Sequence, residues 1–301
     1  MIRMPAPRTT QELQALALQE KKHALKILND RRGQVNLATE LVTSAARRLD
    51  PMATELAVSA RIECRRGCSW CCRGSRVDVT PPEAIAIANW ICENLDSELQ
   101  EDIRHRVISA AERVRTTTTD ERWAEQIPCA FLSEQGVCEI HPIRPFACRR
   151  TNFYDASACE RASKSGEGVP IDVQILALYG IGQVAIDRAA RDCRLGAGKY
   201  ELSNAVDLAM RVPDAAIRWA EGSKLFDAAR TPNDTQDRIA AAEASAAINP
   251  QSPPISNRDD LIRATTEGRI PSMPPAIEES LMYGSPTAKN KRKRERRAKR
   301  N

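Results

Sequence analysis

The sequence predicts a mainly α-helical protein, with helical flanks around an irregular cysteine-cluster domain and little strand. Three observations predict it. Apolar residues recur at helical spacing through much of the first 228 positions. Eight of the ten cysteines fall in two groups, Cys64 to Cys72 and Cys129 to Cys159. The second group lies in a segment broken by Pro128, Gly136, Pro142 and Pro145, which predicts loops.

Taken in order, Leu13, Leu16, Ala17, Ala24, Ile27 and Leu28 form one helical stripe, and Ala38, Leu41, Val42, Ala45 and Leu49 another. They predict a helical pair ending at Asp50-Pro51, whose apolar faces pack together or take a protein partner. Val77-Asp78-Val79 reads as a short extended stretch after the first cysteine group. Thr80-Pro81-Pro82-Glu83 supplies an N-cap, prolines for a first turn and a capping-box glutamate, predicting a helix from Pro81 to about Leu95. Ser97 caps the next helix, whose face is Leu99, Ile103, Val107, Ala110 and Val114 and which the threonines Thr116 to Thr119 end. Beyond Gly168 the stripe resumes with Ile171, Ile175, Leu178, Gly182, Ile186, Ala189 and Cys193, and helices follow over Leu202–Val212 and Asp214–Ala228.

The last seventy residues differ in character. Eight of the eighteen prolines follow Arg230 and periodicity fades, predicting a largely disordered tail. The expected organisation is a helical segment 1–60, a cysteine-cluster domain 61–165, helices over 166–230 and a tail 231–301. Between Lys289 and Asn301, nine Lys or Arg face one Glu, a local charge of +8; the chain's net charge is +5, so the remainder carries about −3. Such a tail suits nucleic acid or ribosome contact that weakens with salt. The first 22 residues hold no apolar signal segment, and no run approaches the roughly 18 apolar residues of a membrane span, so the expectation is a cytoplasmic, membrane-free protein in a reducing compartment. Disulfides are unusual there, and clustered cysteines point instead to metal.

In Cys64-Arg-Arg-Gly-Cys68-Ser-Trp-Cys71-Cys72, the Cys68-x-x-Cys71 spacing suits a turn that aims two sulfurs at one ion. Adjacent Cys71 and Cys72 ligate one ion poorly, which suggests two centres or a polynuclear cluster. With Cys129, Cys138, Cys148 and Cys159 the candidates number eight, enough for two four-thiolate zinc sites or for one iron-sulfur cluster with thiols left over. Metal would then organise the irregular segment. Buried thiolate centres need opposing charge, and Arg65, Arg66, Arg73, Arg76, Arg144, Arg149 and Arg150 are nearby in sequence. Trp70, Phe131, Phe146, Phe153 and Tyr154 are read as a small sealing core. Cys92 and Cys193 continue apolar helix faces and are read as buried, non-ligating residues.

These residues carry a resemblance. The pattern Cys64-x-x-x-Cys68-x-x-Cys71-Cys72, then Val-Asp-Val-Thr-Pro-Pro-Glu-Ala, Pro128-Cys129-Ala-Phe131-Leu132, and Gly136-Val-Cys138-Glu-Ile-His141-Pro-Ile-Arg144-Pro145-Phe-Ala-Cys148-Arg149 resembles the YkgJ-type cysteine-cluster family of zinc- or iron-chelating domains, found mainly in bacteria. The resemblance covers roughly residues 61 to 165 and implies Cys64, Cys68, Cys71, Cys72, Cys129, Cys138 and Cys148 as ligands, with Cys159 as the final member. His141 stands where the family usually has tyrosine; its Cys138-x-x-His141 spacing allows ligation, and it is read as a residue packed beside the site. The family is distantly similar to flagellin lysine N-methylase, which implies an iron-sulfur centre and methyl transfer to protein lysine. No catalytic motif of the sequence itself supports an enzyme: Gly180-x-Gly182 lies in a helical pattern, and Gly196-x-Gly198-Lys199 lacks the rest of a phosphate loop.

Overall fold

Ten α-helices and one two-stranded sheet make up the described part of the chain, residues 6–7, 9–65, 67–165 and 171–230 of a computed structural model. The expected tail, residues 231–301 with its basic end, lies outside the described residues, as does Arg66. The fold is mainly α, as the periodicity predicts.

Helix α1 (Thr10–Asp30) opens on a capping box between Thr9 and Glu12. Helix α2 (Leu37–Ser59) does not end at Asp50-Pro51 but runs through Pro51. An internal proline costs roughly 3 kcal/mol of helix propensity, yet the buried stripe continues past it through Met52, Ala53 and Leu56. Packing of that stripe outweighs the lost backbone bond. The faces of α1 and α2 are occupied within the chain: α1 lies along α8 (Val173–Asp192), and α2 packs on α3 (Pro81–Asn94) and α8. At the α2–α8 crossing a Cβ on Gly182 would stand 2.6 Å from Leu49 Cδ1, so a larger residue there requires the buried Leu49 side chain to shift.

Helix α3 begins with the predicted capping box, Thr80 N donating to Glu83 Oε2 at 2.8 Å. Helix α4 (Ser97–Val114) is capped one residue earlier than expected, by Asp96, which accepts from Leu99 N at 2.9 Å. The threonine run that ends α4 also starts a helix, because Thr118 and Glu121 form a further capping box for α5 (Thr119–Ala124). Strand β1 (Asp78–Val79) pairs antiparallel with β2 (Tyr200–Glu201), joining the stretch after the first cysteines to the C-terminal helices.

The proline-broken segment is irregular, as expected, but it holds two helices: α6 (Phe146–Arg149) and α7 (Ala156–Ser165), the latter carrying Cys159. Helix α9 (Leu202–Arg211) matches its prediction; the expected helix to Ala228 stops early, with α10 (Ala215–Ala220) ending where Gly222 turns at φ 90° and a 3-10 turn following over Leu225–Ala229. One apolar core joins all of this. Phe131, Ile140, Ile143 and Phe146 from the cysteine segment are buried in the same cluster as Leu49, Ile85, Leu178 and Trp219. No helix among the described residues is long and apolar enough to cross a membrane.

Candidate metal centre

Four backbone devices bring the two cysteine groups together. Cys64 lies in the link after α2, Cys68 closes a turn by donating its N–H to Arg65 O at 3.0 Å, and Cys71 and Cys72 sit in a 3-10 turn over Trp70–Cys72. Next, Cys129 N donates to Cys72 O at 2.8 Å beside an Arg73–Pro128 bridge, which ties the second group to the first. A hairpin-like loop then pairs Leu132 with Cys138, turning at Gly136 with φ 74°. Finally, α6 presents Cys148, and its first N–H, on Phe146, donates to buried Glu83 Oε1 at 2.9 Å. Two charged residues hold this frame. Glu83 also accepts from Gln183 Nε2 at 3.1 Å, and Arg106 of α4 donates to Ala130 O at 2.6 Å, Leu132 O at 3.3 Å and Glu139 Oε2 at 2.6 Å.

Every candidate cysteine except Cys159 lines one cavity of about 390 Å³. Cys159 is buried on α7, which packs against the 3-10 turn of Cys71 and Cys72. None of the ten cysteines forms a disulfide. Burial dominates the behaviour of most of these thiols: Cys129 is pushed up to about 12, Cys138 and Cys159 to about 11, and Cys64 and Cys148 also upward, with neighbouring sulfurs adding repulsion. Cys71 is raised first by donating to Cys72, then by burial. Cys72 moves the other way, down to about 7, because it accepts that bond and because Arg144 and Arg73 add positive charge, all against burial. Both causes that raise the other thiols, burial of charge and mutual repulsion, are relieved by a cation held among them.

Among the described residues no three side chains of ligating type close on a single point. The thiols are thus neighbouring donors around a shared space rather than finished coordination polyhedra. In donor chemistry the set fits zinc or iron, since soft thiolates suit both ions, and the cavity lining contains Arg65, Arg76, Arg144 and Arg150 but no Asp or Glu. Arg144 is the most telling of these. Its Nε is buried with no hydrogen-bond partner, and its charge favours ionisation of Cys64, Cys72, Cys138 and Cys148.

The other expected site residues divide. Arg149 is a brace rather than a counter-charge, donating to both oxygens of Asp50 at 3.0 and 2.9 Å and to the Arg144 and Pro142 carbonyls at 2.8 Å. Arg76 pairs with Asp78 at 3.0 Å, and Arg65 is exposed. Phe131 and Phe146 belong to the main core, whereas Tyr154 is exposed and donates its hydroxyl to Asp172 at 2.8 Å. His141 lines the thiol cavity and an adjoining groove bordered by Trp90, Leu95 and Leu99.

Cys92 is exposed, not buried as its spacing suggested, because the inward face of α3 is set by Ala84, Ala88 and Ile91. Cys193, the C-cap of α8, is only half-buried. The glycine pairs serve packing: Gly182 admits Leu49, and a Cβ on Gly196 would stand 2.8 Å from Ser223 O. Glu83 was legible only as a cap, and nothing in the sequence marked Arg106 as a clamp on the cysteine loop.

A helical protein with a thiol-lined, arginine-flanked cavity falls in the class of candidate cysteine-ligated metal proteins. More particularly, residues 63–166 match the CxxCxxCC family model, described as a "putative zinc- or iron-chelating domain". That is the family the sequence pattern resembles, and the match spans roughly a third of the chain. No curated protein and no solved structure matches the chain.

Proposed function

We propose that this chain is a metal-binding protein in which residues 61–165 form the working unit and Cys64, Cys68, Cys71, Cys72, Cys129, Cys138, Cys148 and Cys159 each serve as a thiolate ligand to zinc or iron. The observation that carries the reading is the gathering of seven of these thiols, from segments up to 84 residues apart, on one cavity with no acidic side chain in its lining. Binding displaces the thiol protons, and Arg144 offsets part of the negative charge of the resulting thiolates. A bound zinc or iron ion supplies fixed positive charge and directional bonds to the sulfurs; structural zinc sites in small peptides are worth on the order of 10–16 kcal/mol. Glu83 and Arg106 keep the sulfur-bearing loops in place, and Phe131 and Phe146 exclude water from behind them.

Metal analysis with visible and electron paramagnetic resonance spectra on anaerobically purified protein tests this. Brown protein with charge-transfer bands identifies an iron-sulfur cluster, and colourless protein with stoichiometric zinc identifies a zinc centre. Cys68→Ala and Cys138→Ala are expected to lower metal content sharply and Cys92→Ala to leave it unchanged. Equal effects of all three, or no metal at all, would overturn the assignment.

A further inference from the structure

The cavity that seven thiols line is larger than a bound ion needs. A four-thiolate ion is enclosed by bonds of about 2.3 Å to its sulfurs, whereas about 390 Å³ is the size of a small-molecule pocket, for which roughly 300–1,000 Å³ is usual. Its wall is also of two kinds. Phe131, Ile140 and Leu202 contribute apolar surface, and Arg65, Arg76, Arg144 and Arg150 contribute guanidinium groups, with no carboxylate in the lining.

Elsewhere in the fold, arginines that brace the core are matched to carboxylates: Arg48 to Glu20, Arg106 to Glu139, Arg122 to Glu201 and Arg149 to Asp50. Within the cavity Arg76 follows that pattern through Asp78. Arg65, Arg144 and Arg150 do not, since among the described residues none of the three makes an ion pair. They converge from three segments: the link after α2, the end of the 3-10 turn over His141–Ile143, and the C-cap of α6. Arg149, next to Arg150 in sequence, donates to Arg144 O at 2.8 Å and to Asp50, which braces the backbone that carries two of these guanidinium groups. The Nε of Arg144 is buried without an acceptor, and an unmet donor on a charged group is costly to bury. Arg65 is exposed and Arg150 half-buried, which puts them toward the solvent side of the same space.

We infer that this cavity also binds a small anion, a carboxylate- or phosphate-bearing molecule held by Arg65, Arg144 and Arg150 with its uncharged part against Phe131, Ile140 and Leu202. Guanidinium groups suit such head groups because their N–H donors pair with two oxygens at once. A cleft lined by one sign of charge also concentrates the opposite sign at its mouth. The inference goes beyond metal binding: it needs the arginines and the volume, not an ion among the sulfurs.

The test uses the full-length chain as purified anaerobically, with citrate and inorganic phosphate as the probes. Calorimetry at low salt is expected to show one equivalent of at least one of them bound. Arg65→Gln combined with Arg150→Gln is expected to weaken that binding by about tenfold or more, as loss of charge-assisted hydrogen bonds implies. Arginine labelling with phenylglyoxal, mapped by mass spectrometry on the wild type, gives a reading that no variant's folding can disturb. The bound anion is expected to slow labelling of Arg65 and Arg150, while exposed Arg218 of α10, outside the lining, labels at an unchanged rate. Tighter binding of phosphate identifies a phosphate head group, and tighter binding of citrate a carboxylate. Neither probe bound, binding indifferent to both substitutions, or equal slowing at Arg218 overturns the inference and leaves these guanidinium groups to the sulfurs alone. Metal content measured on the same samples decides the metal reading separately, so the two failures are distinguishable.

Discussion

Arg144 is a cation whose Nε is buried without an acceptor, in the lining of a cavity that it shares with seven thiols. An arginine stays protonated in any protein environment, so its lack of a partner is offset only by negative charge nearby. Replacing it removes that charge without touching a sulfur. Arg144→Gln is expected to weaken metal binding by about 10–100-fold, the usual effect of losing a residue that supports metal ligands, in chelator competition, while the far-ultraviolet circular dichroism stays unchanged. Unaltered affinity would show that Arg144 does not serve the centre. Gly182 makes a separate claim about packing. Gly182→Ala forces a methyl to within 2.6 Å of Leu49 Cδ1 at the α2–α8 crossing, and overpacking of this kind costs about 1–3 kcal/mol. Urea denaturation should show the midpoint falling with little change in slope.

Among the elements, the loop from Cys129 to Cys138 has almost no regular structure and is held by one side chain of α4. Arg106 satisfies two of its carbonyls and pairs with Glu139. Arg106→Ala leaves those carbonyls to water and frees the loop, so hydrogen exchange should quicken over residues 129–139 while α1 and α8 stay protected. Protection unchanged in the loop would count against the clamp. Such long-range ties explain what was legible in the sequence. The Thr80-to-Glu83 box was readable because all its partners lie within three residues. The bond from Glu83 to Phe146, 63 residues away, was not. Pro51 misled because local propensity says stop while a core spread over α3 and α8 keeps α2 going. Eight cysteines were visible from spacing alone, but Cys159 on a helix, and the way α7 carries it to Cys64 and Cys68, depends on the contact between Ala156 and Glu63. Cys92 shows the converse failure: the apolar face of Ala84, Ala88 and Ile91 is buried as its period suggested, but Cys92 lies off that face and is exposed.

At the scale of the whole molecule, the helices before and after the cysteine segment share one core, so the segment is an insertion held at both ends rather than an appended module. Metal removal is therefore expected to loosen residues 61–165 while α1, α2 and α8 retain helicity; circular dichroism before and after chelation checks this, and complete unfolding would show that the helical body depends on the metal. The basic end is a separate prediction, grounded in charge alone. Deleting residues 287–301 removes the +8 cluster, and any binding to nucleic acid should weaken and lose its steep salt dependence. Binding that survives the deletion would place the interface elsewhere.

The small pairing of β1 with β2 has a consequence for biosynthesis. Leu202, immediately after β2, forms part of the cavity wall, and its N–H is held by Val77 O at 2.8 Å. A chain leaving the ribosome N-terminus first exposes all eight clustered cysteines before that wall is made. The thiols thus pass through an interval in which they are reachable by oxidants and by ions from solution, and the cavity wall closes only when the second strand arrives.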